Sequence, residues 1–202
     1  MKKKSFIYPI IFMSAITAVY VFILAYLNIS TAERVEFLQD TDLRKKILYV
    51  FDIPTSSDLP EEIERVFSQY IEEDDSVEPS IFYTRENGDI DRYAIPIAGA
   101  GLWGSIDAYV GISADFSNIF GLEFIQHSET PGLGGRISEP EFLEQFREID
   151  ISSSPGPEYV VFRPATGGNV DAISGATLTS QSVRNMLNED IHDFIEGRKG
   201  DQ

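Results

Sequence analysis

The segment best suited to chemistry is residues 171–180, Asp-Ala-Ile-Ser-Gly-Ala-Thr-Leu-Thr-Ser, which lies just before the last predicted helix. Small residues such as Gly175 and Ala176 let the backbone approach a bulky anion. The unpaired N–H groups at the start of a helix attract phosphate oxygens. The segment therefore indicates a phosphate site beside Thr177. The alternative is an ordinary helix start, in which Thr177 or Thr179 caps the helix and Gly175 relieves a turn.

Asp171 distinguishes this segment from a simple anion site. A carboxylate is unfavourable near a phosphate unless it is turned away or paired with a cation. A phosphate cradle therefore has no need of an aspartate at this position. Asp171 favours a more specific role for the segment than anion binding alone.

A second unusual segment is the glycine-rich run His-Ser-Glu-Thr-Pro-Gly-Leu-Gly-Gly-Arg-Ile at residues 127–137. Pro131, followed by three glycines in four positions, predicts a tight and stiff loop after a strand. Leu133 is an apolar residue that such a loop can bury only against a ligand or a neighbouring loop. We expect Glu129 to orient the Thr130 hydroxyl or to accept hydrogen bonds from loop amides. A plain turn is the alternative.

The elements that must position these segments alternate irregularly, which predicts an α+β fold. Apolar periodicity predicts helices at residues 33–51, 61–71, 139–147 and 179–195, and strands at residues 81–83, 93–97, 106–112, 120–126 and 159–162. Asn87-Gly88 predicts a hairpin with five to eight connecting residues. Ser138 and Glu141 form the pattern of a capping box, and the acidic run at residues 72–75 predicts a solvated loop.

The chain begins with a long apolar stretch. Residues 5–32 contain no Asp, Glu, Lys or Arg, and this length suffices to cross a bilayer at 1.5 Å rise per residue. A cleaved signal peptide is the alternative, but its apolar region is usually about 7–15 residues long and ends at small residues. Lys2, Lys3 and Lys4 before the stretch, with Glu33 as the first charge after it, place the N-terminus in the cytoplasm. We therefore expect an uncleaved anchor with the rest of the chain outside.

Composition excludes several classes of function. Sixteen basic residues face 33 acidic ones, and three of the sixteen precede the apolar stretch, so the remainder carries a formal charge near −20. Such a surface does not bind nucleic acid. The absence of cysteine excludes Cys-ligated iron–sulfur clusters, thioether-linked haem and disulfides. Two histidines are too few for a His-rich metal site, so any redox cofactor is organic.

Four ordered segments resemble the FMN-binding domain found in the C subunit of the sodium-translocating NADH:quinone oxidoreductase and in the related G subunit of the Rnf electron-transport complex. They are residues 43–48, 95–103, 129–134 and the Asp-x-x-Ser-Gly-Ala-Thr run at residues 171–177. On the last pattern, a flavin transferase that uses FAD and Mg²⁺ attaches FMN through a phosphoester to the threonine. The resemblance implies that Thr177 carries FMN and that Asp171 is part of what the transferase recognises.

The resemblance also implies a set of cofactor-binding residues and no catalytic or metal-binding residue. The set is Thr177, Ser174, Gly175, Ala176, Leu178, Thr179, Glu129, Thr130, Leu133 and Gly134. For Trp103, His127 and Arg136, packing, a single hydrogen bond or an ion pair is the simpler interpretation, although stacking on the flavin, proton relay or phosphate binding stays open.

The expected organisation is an anchor at residues 1–30, a helical connector at 31–78, and a single extracytoplasmic FMN-binding domain at 79–198 with a mixed or antiparallel sheet. Such a protein would carry electrons between membrane subunits of an ion-translocating complex rather than act as a complete enzyme. Two alternatives are a self-contained flavin reductase and a flavin-free scaffold whose Ser-Gly-Ala-Thr run is only a helix cap.

Overall fold

The computed structural model describes residues 7–154 and 156–200; the three lysines used to predict orientation lie outside this range. The helices are α1 (Ile7–Val50), α2 (Pro60–Tyr70), α3 (Pro140–Leu143) and α4 (Thr177–Gly200). The strands are β1 (Glu72–Asp74), β2 (Ile81–Glu86), β3 (Asp89–Ala100), β4 (Ser105–Ser113), β5 (Asn118–His127), β6 (Ile149–Asp150), β7 (Phe162–Arg163) and β8 (Val170–Asp171). Turns of 3-10 helix at Gly134–Ser138 and Glu144–Phe146 flank α3.

Helix α1 contains the described part of the apolar stretch, from Ile7 onward, and the predicted helix at 33–51 as far as Val50, in one continuous element. An 18-residue window of α1 has a mean hydropathy of 2.4, and none of it is buried within the described part of the chain. By length and composition, this helix can cross a membrane. The chain divides into two units between Asp42 and Leu43, so the last turns of α1 belong to the second unit.

The main sheet is an antiparallel meander in which β1 to β6 pair in sequence order, and β7 and β8 form a separate parallel pair. The predicted α+β fold with a sheet containing antiparallel strands is therefore confirmed. Strands β2 and β3 are joined by Asn87 and Gly88, whose φ angles of 54° and 95° are those that a two-residue hairpin turn requires. The connection is tighter than the five to eight residues predicted.

Both faces of the sheet are covered, because its strands alternate buried residues toward two clusters. The larger cluster packs α4 and the segment around α3 against one face. The smaller cluster packs the end of α1 and helix α2 against the other face. Its buried members are Ile47, Leu48, Val50, Phe51, Ile63, Val66, Phe67, Ile71, Phe82, Ala94 and Tyr109.

Five further sequence predictions need correction. The acidic run begins with strand β1, because Glu72 to Asp74 pair with Tyr83 to Ile81 of β2. The predicted helix at 139–147 is only α3 and a 3-10 turn, and no side chain caps α3, so the capping box does not form. Only Phe162 of the predicted 159–162 strand lies in a strand. Helix α4 begins at Thr177 rather than Thr179.

Candidate functional site

Two loops meet the first turn of α4 at its N-terminal end, and Glu129 joins all three segments. Oxygen Oε2 of Glu129 accepts from the hydroxyl of Thr179 in the first turn of α4, at 2.5 Å. Oxygen Oε1 accepts from the backbone N–H groups of Leu102, at 2.7 Å, and Trp103, at 3.3 Å, in the loop between β3 and β4. The carboxylate is buried, with 6% of the residue exposed. One side chain therefore ties the loop after β5 to two other segments.

The surroundings of Glu129 favour its ionised form. Burial is the largest single influence and raises the pKa of this carboxyl. The Thr179 hydroxyl, the two loop amides and nearby His127 all lower it, and together they outweigh burial, so the pKa lies below the ordinary glutamate value. The result is a buried carboxylate whose charge is balanced by hydrogen-bond donors.

Thr177 is the first residue of α4 and is exposed to solvent. The turn before it is fixed by hydrogen bonds: Ala176 N–H donates to the carbonyl of Ile173 at 3.1 Å, and Ile173 N–H donates to the hydroxyl of buried Ser180 at 3.1 Å. Gly175 has a φ of +80°, in the left-handed region that favours glycine. The small residues of this segment therefore turn the chain into α4 and leave the Thr177 hydroxyl accessible.

The predicted cofactor-binding residues fall into two groups. The exposed ones are Thr130, Leu133, Ser174, Gly175, Thr177 and Leu178, and the buried ones are Glu129, Gly134, Ala176 and Thr179. The buried group forms the base of the site. A β-carbon added to Gly134 would lie 2.5 Å from Glu129 Oε2 and 2.6 Å from the Thr179 hydroxyl, so a larger residue would push these two hydrogen-bonded side chains out of place.

Thr130 shapes its loop through the main chain. Its carbonyl accepts from the N–H groups of Leu133, at 3.1 Å, and Gly135, at 2.9 Å. Glu129 does not bond to the Thr130 hydroxyl in this structure; of the two expected interactions, it makes the one with loop amides. This tight turn, predicted from the glycines, presents Leu133 outward.

Large apolar side chains are exposed on both loops and on the first turn of α4. Leu102, Trp103, Leu133 and Leu178 are 51%, 69%, 48% and 58% exposed. Trp103 is thus not a packing residue within the described part of the chain. Leu102 was missed as a site residue, and its signal was the Gly-Leu-Trp-Gly run that follows β3. These side chains give the site an apolar rim around a polar base.

Asp171 is paired, as a carboxylate near a phosphate site must be. Its Oδ1 lies 2.9 Å from Nη1 of Arg163 on the neighbouring strand β7, and its backbone N–H donates to the Gln145 side chain at 2.7 Å. Both ionic side chains are more than half exposed. Asp171 therefore remains accessible to another protein.

The histidine and arginine near the loop have local partners. His127 Nδ1 accepts from the N–H of Glu129 at 3.3 Å, and its Nε2 lies 2.9 Å from the Ser138 hydroxyl. Arg136 forms an ion pair with Glu139 at 2.9 Å. These contacts match the simpler interpretation of both residues.

The residues present fit a flavin mononucleotide. The N–H groups at the start of α4 suit its phosphate, the Thr177 hydroxyl is free to carry an ester, and the apolar rim suits a ring system. The fold and the site together define an FMN-binding domain. Residues 101–192 match the family model described as the FMN-binding domain.

Relatives place the chain more narrowly. It is 32% identical over 194 residues, 95% of either chain, to the G subunit of the ion-translocating oxidoreductase complex of Methanosarcina acetivorans. It is 40% identical over 108 residues to the C subunit of the Na⁺-translocating NADH-quinone reductase of Yersinia pestis, which covers 51% of this chain and 41% of that protein. The chain belongs to the FMN-binding family that includes these two proteins.

Solved structures share the fold. The C subunit of the Na⁺-translocating NADH-quinone reductase from Parabacteroides distasonis matches with a TM-score of 0.64 and 26% identity, over 79% of this chain and 92% of that one. The protein NqrC of Shewanella oneidensis matches with a TM-score of 0.62 and 21% identity, over 74% and 90%.

Proposed function

We propose that this chain is a membrane-anchored electron-transfer subunit of an Rnf-type or NADH:quinone-oxidoreductase-type ion-translocating complex, with FMN bound covalently to Thr177. The observation that carries the proposal is the position of Thr177, an exposed hydroxyl at the start of α4 in the Asp-x-x-Ser-Gly-Ala-Thr run. The membership of the chain in the FMN-binding family supports flavin as the bound cofactor. The exposed apolar side chains of the rim offer the flavin ring a surface to pack against.

Attachment would be a phosphoryl transfer from FAD, catalysed by a Mg²⁺-dependent flavin transferase. The Thr177 oxygen attacks the phosphorus on the riboflavin side, the pyrophosphate bond breaks, AMP leaves, and the hydroxyl proton passes to solvent. The attached phosphate would lie near the N-terminus of α4, where the helix dipole stabilises negative charge by about 0.3–1 kcal/mol. The turn at Gly175 keeps bulky side chains away from it.

The flavin supplies the one-electron chemistry, and this chain supplies position and shelter. The described residues include no group of three or more His, Asp or Glu side chains placed to hold a metal ion. The chain contains no cysteine and therefore no Cys-ligated cluster. In the proposed role, electrons would pass between the flavin and partner subunits. A covalent link suits a carrier outside the cytoplasm, because a dissociated cofactor would be lost from the cell.

Intact mass tests the attachment. The full chain is co-expressed with a flavin transferase as wild type, Thr177→Ala and Thr166→Ala, the last removing an exposed hydroxyl of a distant loop. We expect one FMN phosphoester on wild type and on Thr166→Ala and none on Thr177→Ala. A wild type without an adduct would instead favour a flavin-free scaffold.

The Arg163–Asp171 pair allows a matched test of transferase recognition. Asp171→Ala removes the carboxylate, and Arg163→Ala removes only its exposed partner. If the transferase recognises Asp171, attachment should fall in the first variant and persist in the second, while both melt near the wild-type temperature. Normal attachment in Asp171→Ala would remove its recognition role.

Topology is part of the proposal: residues 1–30 form the anchor with a cytoplasmic tip, 31–78 the connector, and 79–198 the extracytoplasmic flavin domain. Because the chain has no cysteine, single cysteines can report the side of the membrane. A membrane-impermeant maleimide added to intact cells should label Ser153→Cys, in an exposed loop, and not Lys3→Cys. Labelling of Lys3→Cys and not of Ser153→Cys would show that the orientation is the opposite of the one proposed.

A further inference from the structure

We infer that Glu129 is a positioning residue, whose buried carboxylate holds the first turn of α4 and the two adjacent loops in the arrangement that Thr177 needs to accept and present the flavin. This inference rests on the proposed attachment at Thr177. It changes the role expected for Glu129, because the carboxylate contacts other protein segments instead of the cofactor.

The hydrogen bonds of Glu129 leave it little capacity for a ligand. One oxygen receives the Thr179 hydroxyl, and the other receives the N–H groups of Leu102 and Trp103. The residue is 6% exposed. A carboxylate offers about four acceptor sites, and three of them are occupied here by protein donors. Burial of the residue leaves the remaining site on Oε2 little access to an isoalloxazine ring.

Glycines allow the loops to close over this carboxylate. A β-carbon on Gly101 would collide with Oε1, and one on Gly134 would lie 2.5 Å from Oε2. The N–H of Gly101 donates to the carbonyl of Gly104 at 2.7 Å, which folds the first loop into a tight turn. Two glycines from different loops thus form the pocket that holds one charged side chain.

The three segments joined by Glu129 include the turn of α4 that carries Thr177. Thr179 lies two residues after Thr177 in the same turn of α4, and its hydroxyl bond fixes that turn to the loop after β5. The backbone N–H groups of Leu102 and Trp103 bond to Glu129, which holds the β3–β4 loop, with its two exposed apolar side chains, against the same carboxylate. Loss of the carboxylate should therefore release both the attachment residue and the apolar rim.

The test compares Glu129→Gln, Thr179→Val and Thr179→Ser with Asn188→Ala. Gln keeps the size of Glu129 without its charge, Val removes the hydroxyl of Thr179, and Ser keeps it. Asn188 is the matched control, because it lies on α4 and makes three hydrogen bonds of 2.8–2.9 Å to the backbone of Tyr159 and Val160, away from the site.

Each full-length variant is co-expressed with the transferase and assayed for the rate of FMN attachment by intact mass. Melting temperature and amide hydrogen exchange are measured on unmodified protein produced without the transferase. We expect Glu129→Gln and Thr179→Val to slow attachment by about tenfold, the effect of losing one charge-assisted hydrogen bond of about 1.4 kcal/mol. Their exchange should rise at residues 101–104 and 173–180. Thr179→Ser keeps the hydroxyl, so its attachment rate and its hydrogen exchange should both stay close to those of wild type.

Asn188→Ala should lower the melting temperature while attachment stays at the wild-type rate. Glu129→Gln with wild-type attachment and exchange would overturn the inference. The inference would also be wrong if the attachment rate of every variant, including Asn188→Ala, decreased in proportion to its melting temperature. A wild type that never gains FMN refutes the proposed function instead, and in that case the exchange measurements still decide whether Glu129 holds the three segments.

Discussion

Leu133 lies over Gly175, so that a β-carbon on Gly175 would be 3.5 Å from Leu133 Cδ2. The two residues come from the two motifs that the sequence singled out, the glycine-rich loop and the turn into α4. Their contact brings the loop against the segment that carries the proposed flavin. The 3.5 Å separation is ordinary van der Waals contact, so space does not dictate glycine here. Backbone conformation does, because φ at Gly175 is +80°.

Gly175→Ala should therefore destabilise the protein through its backbone. A left-handed conformation costs an L-residue about 1–2 kcal/mol, and we expect a loss of that size in urea unfolding of the unmodified chain. Gly197→Ala is the control, since Gly197 lies within α4 with no heavy atom within 4 Å of an added β-carbon, and should gain about 1 kcal/mol. Losses in both variants would contradict the backbone argument.

Local chemistry made part of the fold predictable. The Asn87-Gly88 turn was found because few residue pairs accept positive φ, and the last helix because its apolar stripe is regular. The acidic run was assigned wrongly because strand β1 depends on pairing with β2, supported by the ion pair between Glu72 and Arg85. Pairing with the next strand along the chain outweighs the solubility of three acidic side chains.

The sequence was enough to predict the attachment residue Thr177, but not the hydrogen bonds of Glu129 at the base of the site. Small residues before a helix, together with the family resemblance, were enough to single out Thr177. Glu129 gave a weaker signal, because a carboxylate in a glycine-rich loop ordinarily predicts exposure. Its donors come from Leu102 and Thr179, which lie 27 and 50 residues away in sequence, and only the folded chain brings them together.

The charge of Glu129 should make stability depend on pH in acid. A carboxyl whose folded pKa is lowered contributes stability that is present above its unfolded pKa of about 4.3 and lost as pH falls through the folded pKa. Wild type should exceed Glu129→Gln by about 1–3 kcal/mol at pH 7, and the gap should narrow below about pH 4. Urea unfolding across this range measures it. Glu158→Gln, at an exposed position, should change stability at pH 7 by less than about 0.5 kcal/mol. A gap for Glu129→Gln that is constant with pH would exclude the ionic contribution.

Arg147 should be a large contributor to stability where the end of α1 meets the sheet. Its guanidinium donates to the carbonyls of Tyr49, Val50 and Phe120 at 2.8–3.1 Å, and its side chain is 18% exposed. Arg147→Ala removes the guanidinium donor from all three carbonyls, and we expect a loss of about 2–4 kcal/mol in urea unfolding. Arg163→Ala, which breaks an exposed pair, should cost under about 1 kcal/mol. Equal losses would show that the carbonyl contacts carry no special weight.

Asp190 should have the opposite pH dependence to Glu129. Its Oδ2 accepts from the N–H of Ala98 at 2.9 Å, but burial, together with the negative charges of Glu189 and Asp193, raises the pKa of the carboxyl despite that bond. The folded protein then holds the Asp190 proton more tightly than the unfolded chain does, so stability falls as pH rises from about 4 through the folded pKa.

Asp190→Asn keeps an acceptor for Ala98 and removes the charge. We expect its melting temperature at pH 7 to exceed that of wild type by about 1–3 °C, and the difference to shrink toward pH 4 as Asp190 becomes protonated. Asp193→Asn removes an exposed charge from the same stretch of α4 and should give a smaller gain. An Asp190→Asn protein that melts below wild type at pH 7 would mean that the carboxylate bond to Ala98 outweighs the cost of burying the charge.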